Sequence, residues 1–195
     1  MSGIFRNFGD SEVMAAIKRE STARTAHHEA GHAVAAVMRG GRLISVSLGQ
    51  IDWDSKDWSW DQQAETHHSS RLENQPFVTF AGPWAQAKWM LENDPDIDTF
   101  DEAIQCAWEE NPDGDGEKYE SFVGALETFG SQFGFYSIGR SWQLDWSDEL
   151  ETIWPAIQEI AALLIAGETV THLHVVDAID RVTGFDDITE GNEND

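Results

Sequence analysis

Residues 22–39, TARTAHHEAGHAVAAVMR, decide how the chain folds and what it can do. The stretch is rich in alanine, the strongest helix former, and Ala26, Ala30, Ala33, Val34, Val37 and Met38 recur at helical spacing. Ser21 or Thr22 can cap the start of this helix, and Gly40-Gly41 can end it. Within it stands His28-Glu29-Ala30-Gly31-His32, an HExxH pattern. Spacing i, i+4 puts both imidazoles on one face about one turn apart, where two neutral ring nitrogens can hold one Zn²⁺. Glu29 lies next to that face, where a carboxylate can take a proton from an activated water and hand it to a leaving amine. With 7 His in the chain, chance supplies such a pattern on the order of 0.02 times. Two histidines on a solvated helix face is the plain alternative, and the small or apolar Ala33, Val34 and Val37 argue for a buried helix instead.

Outward from this helix, LISVSLG (residues 43–49) alternates apolar and polar side chains like a short, half-buried strand. Residues 51–71 mix Trp53, Trp58 and Trp60 with Asp and Ser without a period and read as a long loop. Pro76 suits the first turn of a helix that continues through PFVTFAGPWAQAKWML, with Gly82-Pro83 as an interruption. A helical Gly costs about 1 kcal/mol, so Gly82 points to the close approach of another backbone. Asp94 and Pro95 can start a helix to about residue 109, NPDGDG breaks the chain, and a helix of about 117–128 follows. Residues 130–145 read as irregular. Ser147 opens a long helix to about residue 166, and Thr171 caps a last one to about residue 182. The expected architecture is α+β, predominantly helical with a small β-sheet, built around the HExxH helix. Residues 1–20 form an arm or helix, 21–186 one domain and 187–195 a flexible acidic tail.

The string TAHHEAGHAVAAV, followed by Gly-Gly and LISVSLG, resembles the peptidase domain of the FtsH-type ATP-dependent zinc proteases. FAGPWAQA, residues 80–87, is similar to the glycine-containing segment that packs near the zinc helix in that family. The resemblance covers roughly residues 20–110 and implies a zinc metallopeptidase whose third ligand is an aspartate on a later helix opening in Asp-Ile or Asp-Leu. The chain carries no GxxxxGK[ST] phosphate loop and no membrane anchor, and Gln86 and Ala87 replace the family's paired acids. A minimal, ATP-independent peptidase is implied.

Three acids compete for the third ligand. On a wheel of 100° per residue, Asp96 lies within the apolar arc of Ile97, Phe100, Ala103, Ile104, Ala107 and Trp108, Asp101 lies on its edge and Asp98 faces solvent. Asp96, which also fits the family's Asp-Ile start, is the expected ligand, with Asp101 next. Other candidates read as structural. His27 is about 100° round the helix from His28; His67-His68 sits in a polar loop that can line the cleft but reads as surface; His172 and His174 show no partner pattern. Asp113, Asp115 and Glu117 offer alternating oxygens to Ca²⁺ but lack EF-hand spacing, so a solvated turn is expected. Cys106 reads as a small buried apolar residue.

Composition bounds the partners. Lys+Arg is 12 against Asp+Glu 36, a formal net charge of −24 that repels phosphate backbones and anionic membrane surfaces. Nucleic acid and membrane are excluded as partners, and a peptide or protein substrate is expected. A single cysteine, no leader and no long apolar run point to the cytoplasm. Two other readings stand beside the enzyme: a catalytically silent interaction protein on a peptidase scaffold, and an acidic decoy that mimics nucleic acid.

Overall fold

A computed structural model describes residues 11–49, 64–110, 112–133 and 141–184. Helix α1 (Ser11–Met38) leads to a hairpin of β1 (Arg42–Leu48) and β2 (Ala64–Ser69), then α2 (Gln75–Asn93), α3 (Phe100–Glu109), α4 (Glu117–Phe133), α5 (Ser141–Ile165) and α6 (His172–Thr183). The fold is predominantly helical with one two-stranded antiparallel sheet. Among the described residues no helix is long and apolar enough to cross a membrane.

Helix α1 is central because its second half has no solvent side: every residue from 26 to 36 is buried. It packs against α2, α5, α6 and both strands. Its end is as expected. Gly40 takes φ 71°, and Gly40 and Gly41 donate to the carbonyls of Val37 and Ala36. Its start lies earlier than expected, at Ser11, so Ser21 and Thr22 are interior; the Thr25 hydroxyl bonds the Ser21 carbonyl, as helix-interior threonines do.

Gly31 sets the approach of α2. A Cβ there would lie 2.3 Å from the Ala81 carbonyl oxygen and 2.8 Å from Ala85 Cβ, so only glycine lets these two helices touch. Helix α2 runs through Gly82-Pro83 without the expected interruption. On the far side α5 offers Leu150, Ile153, Trp154, Ile157, Ile160 and Leu164, a buried stripe at helical spacing. Trp84 joins the layers, its ring 6.0 Å from Trp154 and 5.9 Å from Phe100. Cys106 is only half-buried; Trp53, Trp58, Trp60 and the acidic tail fall outside the described residues.

The hairpin departs from simple alternation. A bulge between Leu43 and Ser45 lets Leu43 and Val46 share the buried face and leaves Ile44 exposed at 68 %. Part of the expected 51–71 loop is in fact β2, whose residues AETHHS pair with β1, with Thr66 opposite Val46. The half-buried Ala64, Thr66 and His68 alternate with the exposed Glu65, His67 and Ser69. His172 and His174 are structural: His172 Nδ1 accepts from the Leu43 N–H, and His174 completes a capping box with Thr171.

Candidate metal centre

His28 and His32 lie one turn apart on the buried half of α1, and their Nε2 atoms are 3.1 Å from each other. Both face one carboxylate oxygen, Asp115 Oδ2, at 2.8 Å from His28 and 3.0 Å from His32. All three residues are buried, and they are the one group of three metal-ligating side chains found among the described residues. Asp115 stands in the wide turn Pro112–Gly116 between α3 and α4, and Lys118 lies 3.6 Å from its other oxygen.

The expected third ligands lie elsewhere. Helix α3 begins at Phe100, capped by Thr99, so Asp96 is not helical; it is exposed, and its N–H bonds Asp94 Oδ1. Asp98 and Asp101 are exposed as well. Asp115 belongs to the acidic loop that sequence reasoning assigned to a solvated turn. The available signal was an aspartate between two glycines, Gly114 and Gly116, which free the backbone to turn its side chain inward.

Each histidine is held from behind. His32 Nδ1–H donates to the Val78 carbonyl at 2.8 Å and His28 Nδ1–H to Gln86 Oε1 at 2.9 Å, which directs both Nε2 lone pairs to the same point. Pro83 has no N–H to give the Thr79 carbonyl, which follows directly on the Val78 carbonyl that receives His32. Gly82 has a different role from the one expected. A Cβ there would meet not backbone but the His32 ring, 2.3 Å from Nε2, so the imidazole lies on the bare glycine.

Glu29, also buried, turns to the hairpin, where the Thr66 hydroxyl donates to its Oε2 at 2.6 Å. His68, half-buried beyond Thr66, has its pKa lowered by burial and by the charge of His32; the exposed His67 pairs with Glu65. His27 packs between Trp89 and Trp154, where burial lowers its pKa, and it bonds the Ala23 carbonyl.

The donor set fits a cation. Burial opposes charge on His32, yet Asp115's charge and hydrogen bond, with Glu29 and Val78 adding, push the imidazole up to about 9. Burial also opposes ionisation of Asp115, but the two histidines hold its carboxyl well below the usual range. The three groups therefore draw positive charge to the point where they meet. Their separations of 2.8, 3.0 and 3.1 Å are close to the edge of about 3.3 Å expected for tetrahedral ligands with bonds near 2.0–2.1 Å. Two imidazoles and one carboxylate also leave a fourth position open, as in catalytic rather than structural zinc sites.

Comparisons of the chain with protein-family models, curated proteins and solved structures found no match.

Proposed function

We propose that the chain is a zinc-dependent peptidase that hydrolyses peptide bonds in a peptide or protein substrate without ATP. The observation that carries this reading is Glu29: a buried carboxylate next in sequence to His28, close enough for its charge to act on His32, and fixed by Thr66. A structural metal site has no use for such an acid, and a silent binding protein has no use for a hydroxyl that aims it. His28, His32 and Asp115 would hold the ion. When bound, zinc supplies Lewis acidity, making a water more acidic and polarising the scissile carbonyl.

The chain's own residues then do the following. Thr66 donates to Glu29 Oε2, which leaves Oε1 to take a proton from the attacking water as its oxygen bonds the carbonyl carbon. The same carboxyl returns that proton to the amide nitrogen as the C–N bond breaks, so the carboxylate is regenerated for another turnover. Val78 and Gln86 keep the two imidazoles in the tautomer that binds metal.

Glu29→Gln tests the reading, since the amide keeps the side-chain shape but cannot accept the proton. Cleavage of an unfolded protein should cease while zinc content stays at about one per chain. Cleavage at the parental rate by this variant, or a chain that takes up no zinc, overturns it.

A further inference from the structure

Behind His28 a chain of hydrogen bonds continues past Gln86 to residues that the catalytic reading does not use. Gln86 Oε1 accepts from His28 Nδ1, and Gln86 Nε2 donates to Glu110 Oε2 at the end of α3. Glu110 Oε1 accepts from Arg24 Nη1 at 2.9 Å, while Arg24 Nη2 is held by Glu20 at 2.6 Å and Asp94 at 2.9 Å. Gln86 is buried, whereas Glu110 is half-exposed, so the chain links a surface ion cluster to a metal-facing imidazole.

A carboxamide has nearly the same shape either way round, so packing alone does not decide which end faces His28. The choice matters. With its oxygen toward His28, Gln86 requires Nδ1 to carry the proton and leaves Nε2 free to bind metal; with its NH₂ there, the imidazole is forced into the other tautomer and Nε2 is protonated. Glu110 removes the ambiguity because an ionised carboxylate only accepts. Arg24, which only donates, completes the polarity by occupying the second Glu110 oxygen.

We propose that Glu110 is a positioning residue of the metal centre, setting the tautomer of His28 through the direction of the Gln86 amide. The proposal rests on the metal reading of the triad. In Glu110→Gln the new amide faces two donors, Arg24 and Gln86, with one carbonyl oxygen. It gives that oxygen to the cation and turns its NH₂ to Gln86, which reverses the chain. Exchanging the two residues restores it. In the double variant Glu110→Gln with Gln86→Glu, the carboxylate now on α2 accepts from His28 on one side and from the introduced amide on the other. The oxygen of that amide accepts from Arg24, and net charge is unchanged.

The test is zinc affinity, measured by competition with a chromophoric chelator on the full chain, with no assay of activity. Glu110→Gln should bind zinc about 10-fold more weakly or worse, and the exchanged protein should return to within about 3-fold of the parent or bind tighter. A parent that binds no zinc sinks the metal reading itself. A parent that binds zinc, with Glu110→Gln equal to it, sinks the relay alone. Should Glu110→Gln not fold, the exchanged protein decides: parental affinity supports the relay and weak binding by a folded chain overturns it.

Discussion

The imidazole of His32 rests on the bare Cα of Gly82, where a Cβ would lie 2.3 Å from Nε2 and 2.4 Å from Cε1. The Val78 carbonyl, one turn earlier on the same helix, holds Nδ1 of the ring at 2.8 Å, so the ring has no easy way to yield. Gly82→Ala should therefore weaken zinc binding by about 10-fold or more. Two effects on stability compete: alanine gains about 1 kcal/mol of helix propensity, and overpacking costs about 1–3 kcal/mol. Net destabilisation is expected in urea. Gly31→Ala, which meets a carbonyl oxygen instead of a side chain, should cost more stability than Gly82→Ala.

The assignment of the third ligand separates cleanly by mutation. Asp115→Asn should lower zinc affinity by at least about 10-fold, because the amide brings no charge to the point where His28 and His32 meet. Asp96→Asn and Asp101→Asn, both on exposed side chains, should titrate like the parent. Loss of binding in either of these with full binding by Asp115→Asn would return the ligand to the segment before or within α3.

Thr66 makes a subtler prediction. Valine has the shape of threonine without the hydroxyl, and a hydrogen bond to a charged group contributes about 1.5–3 kcal/mol. Thr66→Val should keep zinc yet cut kcat by about 10-fold or more, while Thr66→Ser should retain most activity. An unchanged kcat in the valine variant would show that Glu29 needs no help from the hairpin.

Chelation should be felt beyond the site. Zinc at a hundred times its Kd stabilises by about 2.7 kcal/mol, so its removal should lower Tm by about 5–10 °C in a chain of this size. Residues 117–128 of α4 include no buried side chain, and Asp115 ties the start of that helix to α1. Amide exchange in α4 should therefore rise first when the metal is withdrawn. Equal protection with and without zinc would show that α4 is held without the metal, by its packing on α2 and by Tyr119 against Trp108 and Gln143.

Much of this was legible in the sequence, and the failures have physical causes. The HExxH pair, the glycine stop of α1 and the Thr171 cap are local signals that the fold keeps. Strand β2 was hidden because Ala64–Ser69 has little β character of its own and is a strand only by pairing with β1. The bulge at Ile44 was hidden because a clean alternation carries no mark of an extra residue. Asp96 was expected beside the histidines because the helix was started too early. Asp94 was a plausible cap, but it holds only a turn, accepting from the N–H groups of Asp96 and Ile97, and the helix starts after Thr99. The wheel drawn from Asp96 therefore began on residues 96–99, which are not helical. Asp115 reaches its partners only through tertiary structure, beyond any periodicity.

His28 and His32 are separated from Asp115 by 87 and 83 positions along the chain. Bringing such distant points together carries a loop-closure cost that a lone pair of histidines on a helix never meets, and the intervening hairpin, α2 and α3 must all be in place to offset it. The centre is thus a gauge of the whole fold. A short peptide spanning residues 22–39 would lack both the third donor and the acceptors that orient its imidazoles. In a denaturant titration, release of the ion and loss of helical signal should fall at a single midpoint.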